Sequence, residues 1–254
     1  MTDAPHIWTE AESATYRDLS RYAVPRREQQ IAVVVDRVAR AEASGDVLEI
    51  CCGEGLLTAA LLSRLPDIRV HAFDGSDSML AATRQRAGAT DRLVTRNIDI
   101  ADRDWRRFDT PLRAAVSSLA VHHLDGPGKR RLFADLHAAL APGGVFVLAD
   151  VVQPATAAGS VIAAELWDAE VQDRAMALDG DLRGFEAFRR ADWNHFRHAT
   201  LDPIDKPSTL VEHFDWLRDT GFVGIDLHWM TAGQMILSAS RSGGPRITGQ
   251  GRNT

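Results

Sequence analysis

The chain contains 254 residues, of which 45% are hydrophobic and 25% charged, a composition that fits one globular domain or a core domain with an insertion. Its formal net charge of -6 at pH 7 argues against a broad basic surface, so nucleic acid is not favoured as a partner. No apolar run approaches the roughly 20 residues that span a bilayer, and the polar, acidic start MTDAPHIWTEAES does not resemble a secretory signal.

The two cysteines, Cys51 and Cys52, are adjacent and cannot form a disulfide framework. The expected location is therefore the reducing cytoplasm, with no membrane association, and the expected oligomeric state is a monomer or a homodimer. A metal centre would need further ligands, and no second cysteine pair or closely spaced histidine pair stands at zinc-like spacing, so no metal is expected.

Short apolar strands and amphipathic helices alternate through the first part of the chain. Apolar residues at helical intervals predict a helix within residues 26–43, and helices with Pro or Gly at their ends separate the strands that follow. The predicted strands are DVLEI, IRVHAFD, RLVTRNID, RAAVSSL and VFVLADV. Such alternation implies right-handed βαβ crossovers, and therefore a doubly wound, mostly parallel α/β sheet.

The pattern changes after the fifth strand, where an aromatic-rich helical stretch interrupts the sheet. A helix with a capping box at Thr209 and Glu212 then leads into a predicted antiparallel strand pair, which completes seven strands. We expect a single domain, residues 1–254. Its predicted parts are N-terminal helices (1–45), the core (46–153), a helical lid insertion (154–207), the C-terminal helix and strand pair (208–240) and a disordered tail (241–254).

Three consecutive strands end near a carboxylate, namely Glu49, Asp74 and Asp99. Each acid alone has an ordinary explanation, because acids are common where strands meet solvent. In an open α/β sheet, however, ligands bind beyond the carboxyl ends of the strands. Gly53 and Gly55 follow the first strand and would let the backbone approach a ligand closely. The three acids and the glycine loop together predict a ligand site on one rim of the sheet.

This set of motifs resembles the class I S-adenosylmethionine-dependent methyltransferases of the small-molecule type. The similar stretches, in family order, are VLEICCGEG, FDGSDSML, NID, AAVSSLAVHHL and LAPGGVFVLAD, within about residues 30–150. The resemblance implies a Rossmann-like fold, S-adenosylmethionine as methyl donor, S-adenosylhomocysteine as product, and in-line methyl transfer to a small-molecule acceptor. A dinucleotide dehydrogenase is disfavoured because the loop lacks the third glycine of its fingerprint.

The resemblance also assigns roles to individual residues. Asp74 is expected to bind both ribose hydroxyls, and Asp99 to lie near the adenine amino group. Apart from the resemblance, Arg26 in the N-terminal segment could meet the carboxylate of the cofactor, with simple N-terminal packing as an equal alternative. The full set of expected cofactor-binding residues is Glu49, Cys51, Gly53, Gly55, Asp74, Gly75, Ser76, Met79, Asp99, Ile100, Ser117 and Arg26. Metal-dependent relatives carry acids after the fourth strand, where this chain has Ser117 and Ser118, which again predicts no metal.

Cys51 stands where the family loop has its first glycine. Its Cβ narrows the space near the carboxylate end of the cofactor, which the loop can tolerate if the backbone has a negative φ. We expect Cys51 to line the site without reacting. Cys52 is expected to be a small buried residue that packs under the turn.

Catalysis needs a general base only if the acceptor is protonated. The candidates are His122 and His123, which follow the fourth strand, and His195 in the insertion. Packing or capping is the favoured alternative for the adjacent pair, whose side chains would point oppositely on an extended segment. His195 and His198 share a face at helical spacing, which could form a site or a solvated surface.

The aromatic content of the insertion suits an apolar or aromatic acceptor. The expected substrate-binding residues are Tyr16, Tyr22, Asp150, Trp167, Trp193 and His195. Simple packing is an equal alternative for the N-terminal tyrosines and the favoured one for the tryptophans. Two other functions stay open: a cofactor-binding fold that does not transfer methyl groups, as a binding module or with other pocket chemistry, and a tRNA-modifying methyltransferase.

Overall fold

The computed structural model describes residues 9–198 and 204–243. Seven strands form one sheet in the order β3-β2-β1-β4-β5-β7-β6. The strands are β1 Val47–Ile50, β2 Val70–Asp74, β3 Leu93–Asn97, β4 Leu112–Ser118, β5 Leu140–Val151, β6 Val223–Thr231 and β7 Gln234–Ser240. The first five run parallel, and β7 is antiparallel to both of its neighbours. The predicted α/β fold with a mostly parallel seven-stranded sheet is confirmed.

Helices cover both faces of this sheet. They are α1 Glu10–Ala23, α2 Arg27–Ala39, α3 Leu56–Arg64, α4 Asp77–Ala87, α5 Gly126–Ala139, α6 Ala157–Asp179, α7 Arg183–Arg190 and α8 Leu210–Asp219. Short 3-10 helices lie at Val121–His123 and His195–Arg197. Local sequence sets several boundaries: Ser76 caps α4, Gly88 ends it, and the predicted capping box of Thr209 and Glu212 begins α8.

Alternating strand residues divide the core into two layers. On one face, Leu48 and Ile50 of β1 pack with residues of α5 and α8, such as Leu132. On the other face, Val47 packs with residues of α2, α3 and α4, such as Leu61. Each fully buried side chain of this size contributes about 1.5–3 kcal/mol to folding, so the two layers hold the strand ends, and the loops that follow them, in fixed positions.

The insertion after β5 packs on the N-terminal helix and on Val151 at the end of β5. α6, α7 and the second 3-10 helix share a third apolar cluster with α1, which contains Ala23, Trp167, Val171 and Phe188. The chain leaves the sheet after Val152 and returns at Ser208, and these two residues form a parallel bridge. The insertion is therefore held from two sides, by α1 and by the end of the sheet.

Two expectations concern the ends of the chain and the membrane. The expected disordered tail falls, from residue 244 onward, outside the described residues. Across residues 9–198 and 204–243, no helix has both the length and the apolar character needed to cross a bilayer.

Candidate active site

A cavity of about 650 Å³ opens at the carboxyl ends of the parallel strands. It lies where the strand order reverses between β1 and β4, the place at which open α/β sheets bind ligands. Glu49, Asp74 and Asp99 all line it, so the structure brings the three predicted acids together. Helices α1 and α2 close one side with Tyr16 and Arg27.

The glycine loop after β1 forms part of the wall. Gly53 lines the cavity with a φ of +54°, and a Cβ placed on it would meet nothing within 4 Å. Gly55 has a φ of +75°, and a Cβ there would lie 2.8 Å from the Cα of Thr83 in α4. Gly53 therefore leaves room for a ligand, whereas Gly55 lets α3 pack against α4 and lies outside the cavity lining.

Asp74 organises this loop. One carboxylate oxygen accepts a hydrogen bond from the backbone N–H of Gly53 at 2.8 Å, and the other accepts one from Ser76 at 2.9 Å. Burial raises the pKa of Asp74, although these N–H groups oppose the shift. Gly75 and Met79 line the cavity, while Ser76 is buried, caps α4 and donates to Glu10 at 2.9 Å. Ser76 thus positions the loop and does not line the site.

Glu49 is a buried acid at the end of β1, with only 2% of its surface exposed. Its carboxyl group accepts a hydrogen bond of 2.5 Å from the hydroxyl of Thr58. Burial raises the pKa of Glu49 to about 8, against the weaker effect of Thr58. A cationic ligand group in the cavity would favour the ionised form of this side chain.

Asp99 and Ile100 line the far end of the cavity, after β3. The Asp99 carboxylate accepts a hydrogen bond of 2.8 Å from the backbone of Ala101, and its carbonyl accepts one from the Trp105 indole at 2.8 Å. Trp105 is fully buried. The turn that carries Asp99 is therefore anchored in the core.

Cys51 adopts a φ of +57°, so the condition of a negative φ, under which the loop could tolerate a Cβ without cost, is not met. The turn needs the left-handed conformation that a glycine would adopt at this position, and cysteine adopts it at a steric cost. Cys51 lines the cavity, and burial raises the pKa of its thiol well above the usual value, which keeps it protonated. Cys52 is buried as expected, with its sulfur 3.5 Å from the hydroxyl oxygen of Thr83.

Two further expected cofactor residues, besides Gly55 and Ser76, lie outside the cavity lining. Arg26 points outward and pairs with Glu170 at 2.9 Å, while its neighbour Arg27 lines the cavity. Ser117 is fully buried and donates to the carbonyl of Ile50 at 3.2 Å, so Ser118 lines the cavity in its place. In both cases the residue that lines the cavity is one position further along the chain, because helix phase and strand alternation decide which side chain faces the cavity.

His122 and His123 lie on a 3-10 helix and not on an extended segment. Their rings are 4.2 Å apart, so the expectation that they point oppositely is wrong. His122 is buried, and its Nδ1 lies 2.5 Å from a carboxylate oxygen of Asp150, whose other oxygen accepts the His122 backbone N–H at 2.9 Å. Burial alone would lower the pKa of His122, but Asp150 outweighs it and raises the pKa to about 10.

Asp205, which the sequence analysis did not identify, completes this group. Its Oδ1 lies 3.5 Å from His122 Nε2 and 3.3 Å from His123 Nδ1, and its Oδ2 lies 4.0 Å from His195 Nδ1. The two adjacent histidines lower the pKa of Asp205 against the effect of burial. Burial in turn lowers the pKa of His123, and it lowers that of His195 to about 4. No local motif marks Asp205, which stands in a stretch rich in turn residues.

Of the expected catalytic and acceptor-binding residues, only Tyr16 and His123 line the cavity. Asp150 is buried against His122, and Trp167 is buried and donates to the carbonyl of Ala23 at 2.8 Å. The other expected residues outside the lining are His122, Tyr22, Trp193 and His195.

These outer residues hold the insertion and the N-terminal helix together. The Tyr22 hydroxyl bonds Asp179, and Trp193 stacks on Tyr16 with ring centres 6.0 Å apart. His198 pairs with Asp192 at 3.3 Å, away from the cluster that His195 joins. Trp167 and Trp193 therefore pack the insertion, which was the favoured alternative to a role in substrate binding. Cavity residues that the sequence analysis did not identify include Arg27, Gln30, Ile31, Leu119, Asp125, Arg131, Ile204 and Lys206.

Known proteins are similar to this chain in sequence and in fold. Residues 47–144 match a family described as a methyltransferase domain. A carboxy-S-adenosyl-L-methionine synthase from Chromohalobacter salexigens is 27% identical over 223 residues, which cover 84% of this chain and 74% of that protein.

Two solved structures have the same fold at low sequence identity. An O-methyltransferase family protein from Burkholderia thailandensis aligns with a TM-score of 0.64 at 15% identity, covering 92% of this chain but only 61% of that one, which is therefore considerably longer. A complex of DhpI with SAH aligns with a TM-score of 0.54 at 19% identity and covers 92% of this chain and 97% of that one. Together with the motifs, the match over residues 47–144 confirms the predicted class I S-adenosylmethionine-dependent methyltransferase domain, whose members use S-adenosylmethionine as their methyl donor, and the two solved structures confirm its fold.

Proposed function

We propose that the cavity binds S-adenosylmethionine and that the protein transfers the methyl group to a small-molecule acceptor. The observation that carries the proposal is the convergence of Glu49, Asp74 and Asp99 on one cavity beside the open backbone of Gly53. A cofactor with a cationic sulfur and an ammonium group fits an acidic wall, and the cavity volume of about 650 Å³ suits a ligand of this size.

Each part of the cofactor has a matching group on this wall. We assign Asp74 to the ribose hydroxyls, Asp99 to the adenine amino group, and Glu49 to the ammonium end. Arg27 replaces Arg26 as the partner of the carboxylate. Its Nε is buried and makes no hydrogen bond within the described residues, while its Nη2 donates to Ser20 and Tyr16. A ligand carboxylate would satisfy that buried donor.

When bound, S-adenosylmethionine supplies an electrophilic methyl group on a sulfonium. The contribution of the chain is to position the acceptor in line with that group and to exclude water. His123, Ile204 and Lys206 line the cavity where the segment returning from the insertion meets the end of β4. We assign this end of the cavity to the acceptor, and the insertion to the role of a lid over it.

Calorimetry with S-adenosylmethionine and with S-adenosylhomocysteine tests the proposal, and methyl release over an acceptor panel extends it. Asp74→Asn should weaken both affinities at least tenfold, because an amide has only one acceptor oxygen for the loop and the ribose. Asp91→Asn, at an exposed turn, is the matched control and should bind as the wild type does. If wild-type protein binds neither nucleoside, the proposal is wrong.

A carboxylated donor is the second candidate function. The Chromohalobacter salexigens relative is a carboxy-S-adenosyl-L-methionine synthase. Among the cationic side chains of the cavity wall here, Arg131 and Lys206 suit an added carboxylate. Mass spectrometry of the nucleoside that stays bound through purification separates the two functions. A mass equal to S-adenosylmethionine plus a carboxyl group would favour the second, and unmodified S-adenosylmethionine the first.

A further inference from the structure

The strongest unassigned feature is the group of His122, His123 and Asp205 at the wall of the cavity. The two histidines follow β4, whereas Asp205 belongs to the segment that returns from the insertion. One ligand-type atom from each residue lies within 4.8 Å of the other two. The fold therefore brings together two imidazoles and a carboxylate from parts of the chain that are about 80 residues apart in sequence.

The spacing within the group differs from that of a hydrogen-bonded cluster. Asp205 Oδ1 lies 3.5 Å from His122 Nε2 and 3.3 Å from His123 Nδ1, both longer than a normal N–H···O hydrogen bond. Zinc bonds nitrogen and oxygen at about 2.0–2.1 Å, so neighbouring ligand atoms of a tetrahedral zinc lie roughly 3.3–3.4 Å apart. The two distances measured here match this separation between ligand atoms. An octahedral site with the same bond lengths would need about 2.9 Å.

Asp150 orients the first histidine as a metal ligand requires. It accepts from His122 Nδ1 at 2.5 Å, which leaves the lone pair of Nε2 directed toward Asp205. Asp150 is itself held by the backbone N–H groups of His122 and Val151, at 2.9 and 2.8 Å. A carboxylate that fixes the tautomer of a ligating histidine is the usual second layer of a zinc site.

The charge of the group and an unpartnered histidine nitrogen beside it also favour a bound cation. Asp150 and Asp205 bring two carboxylates into a mostly buried group, and with neutral imidazoles a divalent cation would balance them. His195 borders Asp205 at 4.0 Å, and its Nε2 is buried without a hydrogen-bond partner in the described part of the chain. The rival arrangement is an imidazolium at His122 between two carboxylates, with the Lys206 ammonium 3.3 Å from the carbonyl oxygen of His123.

We propose that His122 Nε2, His123 Nδ1 and Asp205 Oδ1 bind one divalent cation of the zinc class. Three protein ligands leave a fourth position for water or for a ligand oxygen. Because His123 lines the cavity, the cation lies at the acceptor end, and it joins the return of the insertion to the end of β4. The expectation of no metal rested on local sequence spacing and on Ser117 and Ser118, and it did not include Asp205 or the close approach of the two histidine rings.

Metal binding can be measured on the full chain without any nucleoside, so its outcome is independent of the proposed methyl transfer. Chelator-treated protein is titrated with Co²⁺, and bound metal is counted by mass spectrometry after dialysis against Zn²⁺. We expect one equivalent of metal per chain, and strong visible absorption from cobalt in tetrahedral coordination.

Variants identify the ligands. Asp205→Asn and His123→Asn should each weaken Co²⁺ binding at least 100-fold, and Asp150→Asn should weaken it 10- to 100-fold through His122. The matched control is Asp46→Asn, which changes another His–Asp pair, His71 Nε2 to Asp46 Oδ2 at 2.8 Å, and should leave metal binding unchanged. Circular dichroism tests whether each variant folds.

Several results would overturn the proposal. One is less than half an equivalent of metal on the wild type, which would favour the imidazolium arrangement. Another is unchanged metal affinity in both Asp205→Asn and His123→Asn. If Asp205→Asn fails to fold, His123→Asn decides alone, because His123 is only partly buried and does not bond Asp150.

Discussion

Cys51 has a side chain at a position with left-handed backbone conformation, so substitutions there measure the cost of backbone strain. Within helices and strands alanine is more favourable than glycine by roughly 0.5–1 kcal/mol. At a φ of +57° the order should reverse, because a Cβ in this region costs roughly 1–2 kcal/mol. We expect Cys51→Gly to be about 1 kcal/mol more stable than Cys51→Ala, as measured by urea unfolding.

The control for Cys51 is Ala163→Gly, in the buried face of α6, which should destabilise the protein in the ordinary way. An alanine variant at position 51 that is as stable as the glycine variant would show that the turn relaxes. Cys51→Gly should keep its affinity for S-adenosylmethionine within tenfold, because the thiol lines the site without reacting. A larger loss would contradict that assignment.

Glu49 couples protonation to stability. Its folded pKa of about 8 lies above the ordinary value of 4.5, so the folded state holds the proton more tightly than the unfolded state. The resulting stabilisation is fully present below about pH 4.5 and is lost as the pH rises through 8. Between pH 5 and 8.5 the wild type should lose on the order of 3 kcal/mol relative to Glu49→Gln.

Urea unfolding at three pH values measures this effect. Glu165→Gln, at an exposed position of α6, is the matched control and should follow the wild-type pH dependence. Parallel pH curves for wild type and Glu49→Gln would show that Glu49 titrates normally. Calorimetry at pH 7 in two buffers gives a second readout, because a cation bound at Glu49 should release a proton.

At the scale of elements, the insertion depends on one buried carboxylate. Asp168 in α6 accepts hydrogen bonds from Asn194 at 2.6 Å, from Arg189 in α7 at 3.2 Å and from Arg197 at 3.0 Å. Asp168→Asn removes the charge that holds both arginines, and because these are partly exposed we expect a cost of about 1–2 kcal/mol.

The loss should be local. Hydrogen exchange should accelerate in α7 and the 3-10 helix at His195–Arg197, while the sheet keeps its protection. The matched control, Asp173→Asn, alters an exposed acid of the same helix and should change neither region. Faster exchange throughout the sheet would mean that the insertion and the core unfold together.

At the scale of the whole molecule, local patterns were enough for the fold but not for the complete site. Short β-branched runs, caps and crossover handedness leave few arrangements of the sheet, and the three acids sit at strand ends, so both could be predicted. Asp205 and Arg27 could not, since their positions depend on how the insertion and the N-terminal helices pack. The positive φ of Cys51 could not be predicted either, because the turn imposes it and a cysteine at this position does not indicate it.

The adjacent ends of the insertion have a consequence for how such a protein can diversify. Val152 and Ser208 form a bridge, Gln153 donates to Ser208 at 3.0 Å, and the buried Lys129 of α5 donates to the Ser208 hydroxyl at 2.7 Å. The insertion therefore leaves the core and returns to it at adjacent positions, and contacts with the core hold both positions in place. Segments of different length or composition could be exchanged there without disturbing strand register. Under the proposed function, in which the insertion covers the acceptor, the acceptor could then change in evolution while the residues proposed to bind the donor stay the same.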